Sequence, residues 1–517
     1  MSIYKIPVSA KGGCTKNTKN DCLFYCIQNA IGKDNINTKL NSALKLKHKL
    51  KLERSDKISI DLLPQIEELL CLNINVSGDV VQLSKHAYPR TMNIVLSNEH
   101  YELDKKEKVK KCLVKPTNNN VAFFRLIKNE DNTFKIHIIS NDRNEVHDYK
   151  RSDMFFDKYE IDNPNIYFIK DKNIKMTLEE SYEQYQESCK FLKEHTNGFI
   201  DLNKYPDTSR CALYLFHCLS KGVAEPQKIS SLESTFLINS FQGGLMYSDN
   251  GEYKNAVCID QNSMYSHYMS SDKFMIPFME GEYMYMTEEQ FNDLKCVPFG
   301  IYRCIITSTN TDLNKFFRFN KNNYYTHYDL TLAKLLKFII TIVLNNGTNC
   351  IIYDSKKRIQ GSKMYGSTIN YLYKIKSETK DKYSKKLMSS LWGAHCEKII
   401  QKQYINSDES TVIENSIIDI HKYEDGNIKV ITCDYQNRFK TNYGRVGTFL
   451  TSYCRLKIAE TMINNFKPEH VLRIHTDGFI VINEPKYDHL LGDNIGMFKI
   501  EHKGDVIIKN VNDIKWS

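Results

Sequence analysis

Apolar and polar positions along the chain switch between a helical period and strict alternation, and each switch marks an element. In NDCLFYCIQNAIG, Phe24, Ile27 and Ile31 fall on one helical face. Asp21 stands at the N-cap position, which puts Cys22 in the first turn. There, unpaired N–H groups and the positive dipole end stabilise a thiolate. ISIDLLPQIEELLCLNINV predicts a helix running into a strand, and TMNIVLSNEHYEL predicts two strands about a turn, with His100 opening the second. Further on, VAFFRLIKN and FKIHIIS predict a β-hairpin, and LEESYEQYQESCKFLKEH predicts a helix.

Three islands stand out in the C-terminal half. In AVCIDQNSMYSHYM an apolar strand, Ala256 to Ile259, delivers Asp260 at its end, and a turn and helix follow. DKYSKKLMSSLWGAHCEK predicts a basic helix ending near Gly393. In VLRIHTDGFIVI two strands, Val471–Ile474 and Phe479–Ile482, flank a tight turn that presents Asp477, with Gly478 easing the backbone.

The chain has 517 residues, which at roughly 150 residues per domain gives about three domains. Hydrophobic residues make up 41% and charged residues 26%, a globular balance that argues against wholesale disorder. The formal charge of +9 permits an anionic partner without demanding one. Mean hydropathy is −0.48, and the longest apolar stretch, around Leu335 to Leu344, carries Lys337 and is too short for a membrane span. The opening MSIYKIPVSAKGGC, with its Gly12-Gly13 turn, has no apolar signal-peptide core. The expected location is therefore cytoplasmic, or an intracellular viral or host compartment, with no membrane partner. The 15 cysteines are expected as reduced thiols, and no CxxC pair suggests structural zinc. Polar runs around residues 103–120 and 197–210 divide the chain into three segments.

A helix-start Cys and a later strand His are the parts of a thiol hydrolase, in which the His holds the thiolate and protonates the leaving group. On Asp21, Cys22, Leu23, Phe24 and the His100-Tyr101 pair, residues 1–115 resemble the ovarian-tumour (OTU) family of cysteine deubiquitinases. The family pattern is Asp-Gly-x-Cys-Leu-Phe, so the Asp–Cys spacing departs from it here. The resemblance implies Cys22 as nucleophile, His100 as base, Glu102 or, less favoured because it adjoins the nucleophile, Asp21 as the third member, and ubiquitin as a partner. Residues 116–194 form a connecting α+β segment. They carry no Asp-x-Glu metal motif on a convincing strand, so no proofreading is expected.

Two carboxylates at the ends of neighbouring strands can hold two Mg²⁺ ions about 4 Å apart, and a Lys-bearing helix can neutralise a triphosphate. In that arrangement the islands of residues 195–517 resemble family B DNA polymerases, in particular their protein-primed branch. Asp260, Gln261, Asn262, Ser263, Met264, Tyr265 and Ser266 match motif A without its Pro. Lys385, Ser389, Ser390, Trp392 and Gly393 match motif B with Ser for Asn and Trp for Tyr. His475, Thr476, Asp477 and Gly478 match motif C without its first Asp. Phe241, Gln242, Gly243 and Gly244 lie where that branch has Tyr-x-Gly-Gly. Arg445 and Gly447 precede the last palm helix, and Lys499 follows motif C.

The resemblance implies roles residue by residue. Asp260, Asp477 and the Gln261 carbonyl are the metal ligands. Asn262 and Ser263 line the triphosphate, Tyr265 lies under the sugar and excludes a 2′-hydroxyl, and Lys385 contacts phosphates. Ser389 and Trp392 pack on the incoming base. Phe241, Gly243, Gly244, Arg445 and Lys499 contact DNA. The fold expected is α+β, a papain/OTU-like N-terminal domain followed by palm, fingers and thumb. The function expected is DNA synthesis with two Mg²⁺ ions, primer–template DNA and deoxynucleotides, with a terminal protein as an implied partner. The alternative is a cysteine deubiquitinase whose polymerase-like part only binds nucleic acid.

Overall fold

In the computed structural model the described residues are 20–32, 36, 40–78, 82, 84, 90–97, 100–103, 120–131, 133–149, 159–160, 162–163, 165–173, 175–205, 207–220, 223, 225–344, 347–406, 416–423, 426–433, 438–482 and 487–517. The Gly12-Gly13 turn and most of the polar run at 103–120 lie outside them. The chain divides into two compact units, Met1–Lys221 with Asn370–Leu391 and Lys422–Gly426, and Gly222–Ile369 with Trp392–His421 and Asn427–Ser517.

The first unit begins with helices α1 (Cys22–Ile31), α2 (Ala43–Lys49) and α3 (Leu63–Leu70). They accompany strands β1 (Leu72–Gly78), β2 (Arg90–Ser97) and β3 (His100–Leu103). β1 and β2 run parallel, and β3 returns antiparallel to β2. Leu23, Ile27, Leu46, Ile66, Ile74, Ile94 and Tyr101 share one core, as the helical and alternating periods require. The expected helix–strand and the two strands expected after it match these elements, and the turn between those strands lies outside the described residues. Asp21 precedes α1 but makes no side-chain cap. Its carboxylate pairs instead with Arg54 and, at 3.4 Å, with Lys47.

A second sheet follows, made of β4 (Asn120–Lys128), β5 (Phe134–Ser140), β6 (Arg143–Tyr149) and β7 (Ile166–Lys170) in the order β6–β5–β4–β7. β4 and β5 form the expected hairpin. β6 escapes a hydrophobic-pattern reading because it is an edge strand, RNEVHDY, with no buried residue. Helix α4 (Leu178–His195) starts in a Thr177/Glu180 capping box, and α5 (Thr208–Leu219) follows.

The second unit carries helix α6 (Ser231–Ser240), strands β8 (Met246–Ser248) and β9 (Gly251–Gln261), and helices α7 (Met264–Met269) and α8 (His327–Leu335). Helices α9 (Gly361–Thr379) and α10 (Lys382–His395) each have residues in both units. Helix α11 (Arg445–Asn465) is buried on nearly every side, as expected of a central helix. Strands β10 (Val471–His475), β11 (Gly478–Val481), β12 (Phe498–Ile508) and β13 (Ile514–Trp516) complete a six-stranded sheet, β13–β12–β9–β11–β10–β8. Every neighbouring pair in it is antiparallel. The strands around Asp260 and Asp477 therefore lie side by side at its centre. Among the described residues no helix is long and apolar enough to cross a membrane, and the cysteines described are free thiols.

Candidate active site on the central sheet

The register of this sheet places Met246, His475, Gly478, Asp260 and Lys499 in one cross-strand row. Residues in such a row point to the same face. Gly478, between His475 and Asp260, leaves a hollow. A Cβ there would lie 2.9 Å from Asp260 Oδ1 and 3.2 Å from the Ile259 carbonyl. The Gln261 N–H donates to the Asp477 carbonyl at 2.9 Å, tying the tip of the β10–β11 turn to the end of β9. Asp260, near the end of β9, and Asp477, in the turn before β11, thus stand on adjoining backbone.

The turn itself departs from the sequence reading. The Asp477 N–H donates to the His475 carbonyl at 2.9 Å, and the left-handed residue is Thr476, with φ of 64°. A β-branched residue there is strained. Gly478 serves close approach to Asp260 and not the backbone angle. Gly244 accommodates the strained residue, because a Cβ on it would lie 2.8 Å from the Thr476 side chain. The Thr476 N–H donates to the Leu245 carbonyl at 2.8 Å, which fixes the Gly243–Gly244 loop against the turn. Gly478→Ala is expected to push Asp260 aside, lowering the site's activity at least about tenfold while the unfolding midpoint moves little. Paired kinetic and melting measurements check this.

The turn after Asp260 is clasped from the other side. Gln261 is buried, and its amide donates to the Gly496 carbonyl at 2.8 Å and to the Tyr268 hydroxyl at 3.1 Å. The Asn262 N–H donates to the Met497 carbonyl at 2.8 Å, and its side-chain amide donates to the Asp493 carbonyl at 3.0 Å. These donors hold the segment against the 493–497 stretch. Ser263 adopts a left-handed conformation, and its hydroxyl donates to Asn262 Oδ1 at 3.2 Å.

Tyr265 packs on Trp392 with ring centroids 5.2 Å apart, and Trp392 packs on Phe241 at 6.3 Å. Motif-like residues from three distant stretches thus form one aromatic platform. Gly447 permits it, since a Cβ there would meet Cys396 Sγ at 2.5 Å and Phe241 Cε2 at 3.2 Å. Burial chiefly raises the Tyr265 hydroxyl above its ordinary value. Cys454 and Asp477 add to the rise, and Arg455 and Arg318 oppose it. Tyr265 therefore stays neutral beside the carboxylate turn. Lys499, opposite Asp260, pairs with Glu501 at 2.6 Å, and that bond is the main reason its ammonium is held above the ordinary range. Lys385 and Ser389 are exposed on α10 in the stretch that belongs to the first unit.

Three arginines have different fates. Arg445 is fully buried. Its guanidinium donates to Glu233 at 2.8 and 2.6 Å and to the Gln227 carbonyl at 2.6 Å. It anchors the start of α11 to α6 and is corrected from a DNA contact to an interior strut. Arg455, which sequence reasoning missed, is buried against Asp329 at 2.7 Å and donates to the Gln242 and Gly243 carbonyls at 2.9 and 2.8 Å. Its place in a helix that is buried on nearly every side is what requires a partner for its charge. Arg318, also missed, donates to the Gly244 carbonyl.

In the first unit, Cys22 lines a small pocket with Asn20, Leu23, Lys57, Ile58 and Tyr101. The alternation along β3 turns Tyr101 into the core, where its hydroxyl donates to the Ile58 carbonyl at 3.0 Å, and leaves His100 exposed. Among the described residues no hydrogen bond or ion pair joins His100 to Cys22. Asp21 is held by Arg54 and Lys47. The expected thiol–imidazole pairing is therefore not made.

Among the described residues no group of three or more His, Cys, Asp and Glu side chains is placed to hold a metal. Asp260 and Asp477 supply two carboxylates. That set suits Mg²⁺, which is usually bound by one or two carboxylates together with substrate phosphates.

No family model matches the chain, and no curated protein does. Among solved structures it is similar to phi29 DNA polymerase complexed with single-stranded DNA, at TM-score 0.44 and 13% identity over 88% of this chain and 75% of that one. It is also similar to phi29 DNA polymerase in a ternary complex with primer-template DNA and incoming nucleotides, at TM-score 0.43 and 14% identity over 76% and 72% of the two chains.

Proposed function

We propose that the chain is a template-directed DNA polymerase of the protein-primed family B kind, with Asp260 and Asp477 at its nucleotidyl-transfer centre. The observation that carries this reading is the register that brings Asp260 beside the Asp477 turn across side-chain-free Gly478. The order of the sequence motifs supports it. Asp260, Asp477 and the Gln261 carbonyl would hold two Mg²⁺ ions, and that pair would supply neutralisation of triphosphate charge and a lowered pKa for a bound hydroxyl. The Tyr265–Trp392 platform carries sugar and base, and the Phe241–Gly244 loop receives the template strand. Lys499, kept charged by Glu501 and Asp260, serves the primer terminus. A terminal protein is the priming partner that the resemblance implies. The test is Mg²⁺-dependent extension of a primed oligonucleotide by the purified chain. Lengthened primer supports the reading, and a folded protein that extends nothing in Mg²⁺ or Mn²⁺ overturns it.

Tyr265 gives a sharper expectation within this reading. A ring fixed against Trp392 leaves no room at the sugar 2′ position. Tyr265→Val is expected to raise kcat/KM for ribonucleotides relative to deoxynucleotides by at least about tenfold, the effect of opening a close steric contact. An unchanged ratio in single-nucleotide kinetics places sugar selection elsewhere.

A further inference from the structure

Arg318 lies on a rigid mount. Phe316 and Phe317 before it are buried, and Asn320 after it is buried with its amide donating to the Asn239 and Tyr324 carbonyls at 2.7 and 2.6 Å. The guanidinium lies against Gly243, where a Cβ would be 3.7 Å from Nη1, and Nη1 donates to the Gly244 carbonyl. A guanidinium has five N–H donors, and among the described residues Arg318 reaches no other protein acceptor. The contrast with its neighbour is sharp. Arg455 serves the same loop but is fully buried and neutralised by Asp329. Arg318 is half-buried, and among the described residues no carboxylate pairs with it. Burial and the nearby Arg455 charge lower its pKa, so its charge stands desolvated without a counter-ion. A fixed, partly desolvated guanidinium with open donors suits an oxyanion, and phosphate fits its fork geometry. Tyr265 is close enough to interact electrostatically with Arg318 on one side and with Asp477 on the other.

We infer that Arg318 is a phosphate-binding residue of the polymerase site, held by the Gly243–Gly244 loop and engaging a phosphate of either the DNA strand or the incoming nucleotide. The inference rests on the polymerase reading, and one experiment separates their failures. The full wild-type chain is treated with phenylglyoxal, and modification of the peptide containing Arg318 is followed by mass spectrometry, alone, with primed oligonucleotide, and with a deoxynucleoside triphosphate and Mg²⁺. Arg318 is expected to react in the free chain and to be protected at least fivefold by one ligand. Protection by the oligonucleotide alone assigns a strand phosphate, and protection only with the nucleotide assigns the triphosphate. In parallel, Arg318→Gln is expected to lower the slope of log affinity against log salt by about one if the contact is a strand phosphate. If it is the triphosphate, the variant raises KM for the nucleotide about tenfold with DNA affinity unchanged. A chain that binds DNA and extends primers while Arg318 reacts equally with and without both ligands overturns this inference and leaves the polymerase reading standing. A chain that binds neither ligand overturns both.

Discussion

Asp260→Asn and Asp477→Asn are each expected to lower primer extension by about a thousandfold, the scale of losing one preorganised electrostatic group at a reacting centre. The two carboxylates stand on adjoining backbone, so neither can substitute for the other without moving a central strand. DNA affinity is expected to stay within about twofold, because phosphate contacts come from Lys and Arg and not from these residues. Rapid-quench extension and anisotropy on the same preparations separate the two quantities. A variant that loses DNA affinity and rate together points to misfolding. One that keeps its full rate removes that carboxylate from the centre.

Arg455→Met is expected to destabilise the second unit by about 3–5 kcal/mol, the cost of leaving one member of a buried ion pair uncompensated. Asp329 is left as a buried carboxylate, and the Gln242 and Gly243 carbonyls lose their donor. The double change Arg455→Met with Asp329→Leu is expected to recover much of the loss, since an apolar pair can replace a buried ion pair. Urea unfolding of the single and double variants checks this. A single variant within about 1 kcal/mol of the parent shows that the pair is dispensable. Because the pair also holds the Gln242–Gly243 carbonyls, the double variant keeps stability without restoring the loop's position, and its extension rate is expected to remain low.

Much of the candidate site was legible because its signals are local. A short apolar run ending in Asp260, and a turn with Asp477 between two apolar runs, read directly as strand ends. The structure places Asp260 near the end of β9 and Asp477 in the turn just before the neighbouring strand β11. What could not be read depends on partners far away in the chain. Nothing near Arg445 shows that Glu233 will take its charge. Nothing near Gly244 shows that Thr476 will press on it. Gly478 was expected to ease the turn, whereas φ falls on Thr476 and the glycine's value lies in the approach of Asp260. In the N-terminal segment periodicity marks the helices and strands, but it does not show which side chains meet across them. His100 and Tyr101 differ by one residue, and in a strand one residue reverses the face.

The central claim, that the Asp260–Asp477 pair serves templated nucleotide addition, is tested most directly by offering the wild-type chain one deoxynucleotide at a time opposite each of the four template bases in Mg²⁺. The expected result is addition of the complementary nucleotide in each case, lost in Asp260→Asn. Addition of all four nucleotides without regard to the template base, addition that survives in Asp260→Asn, or no addition by a folded chain that binds the DNA would contradict it.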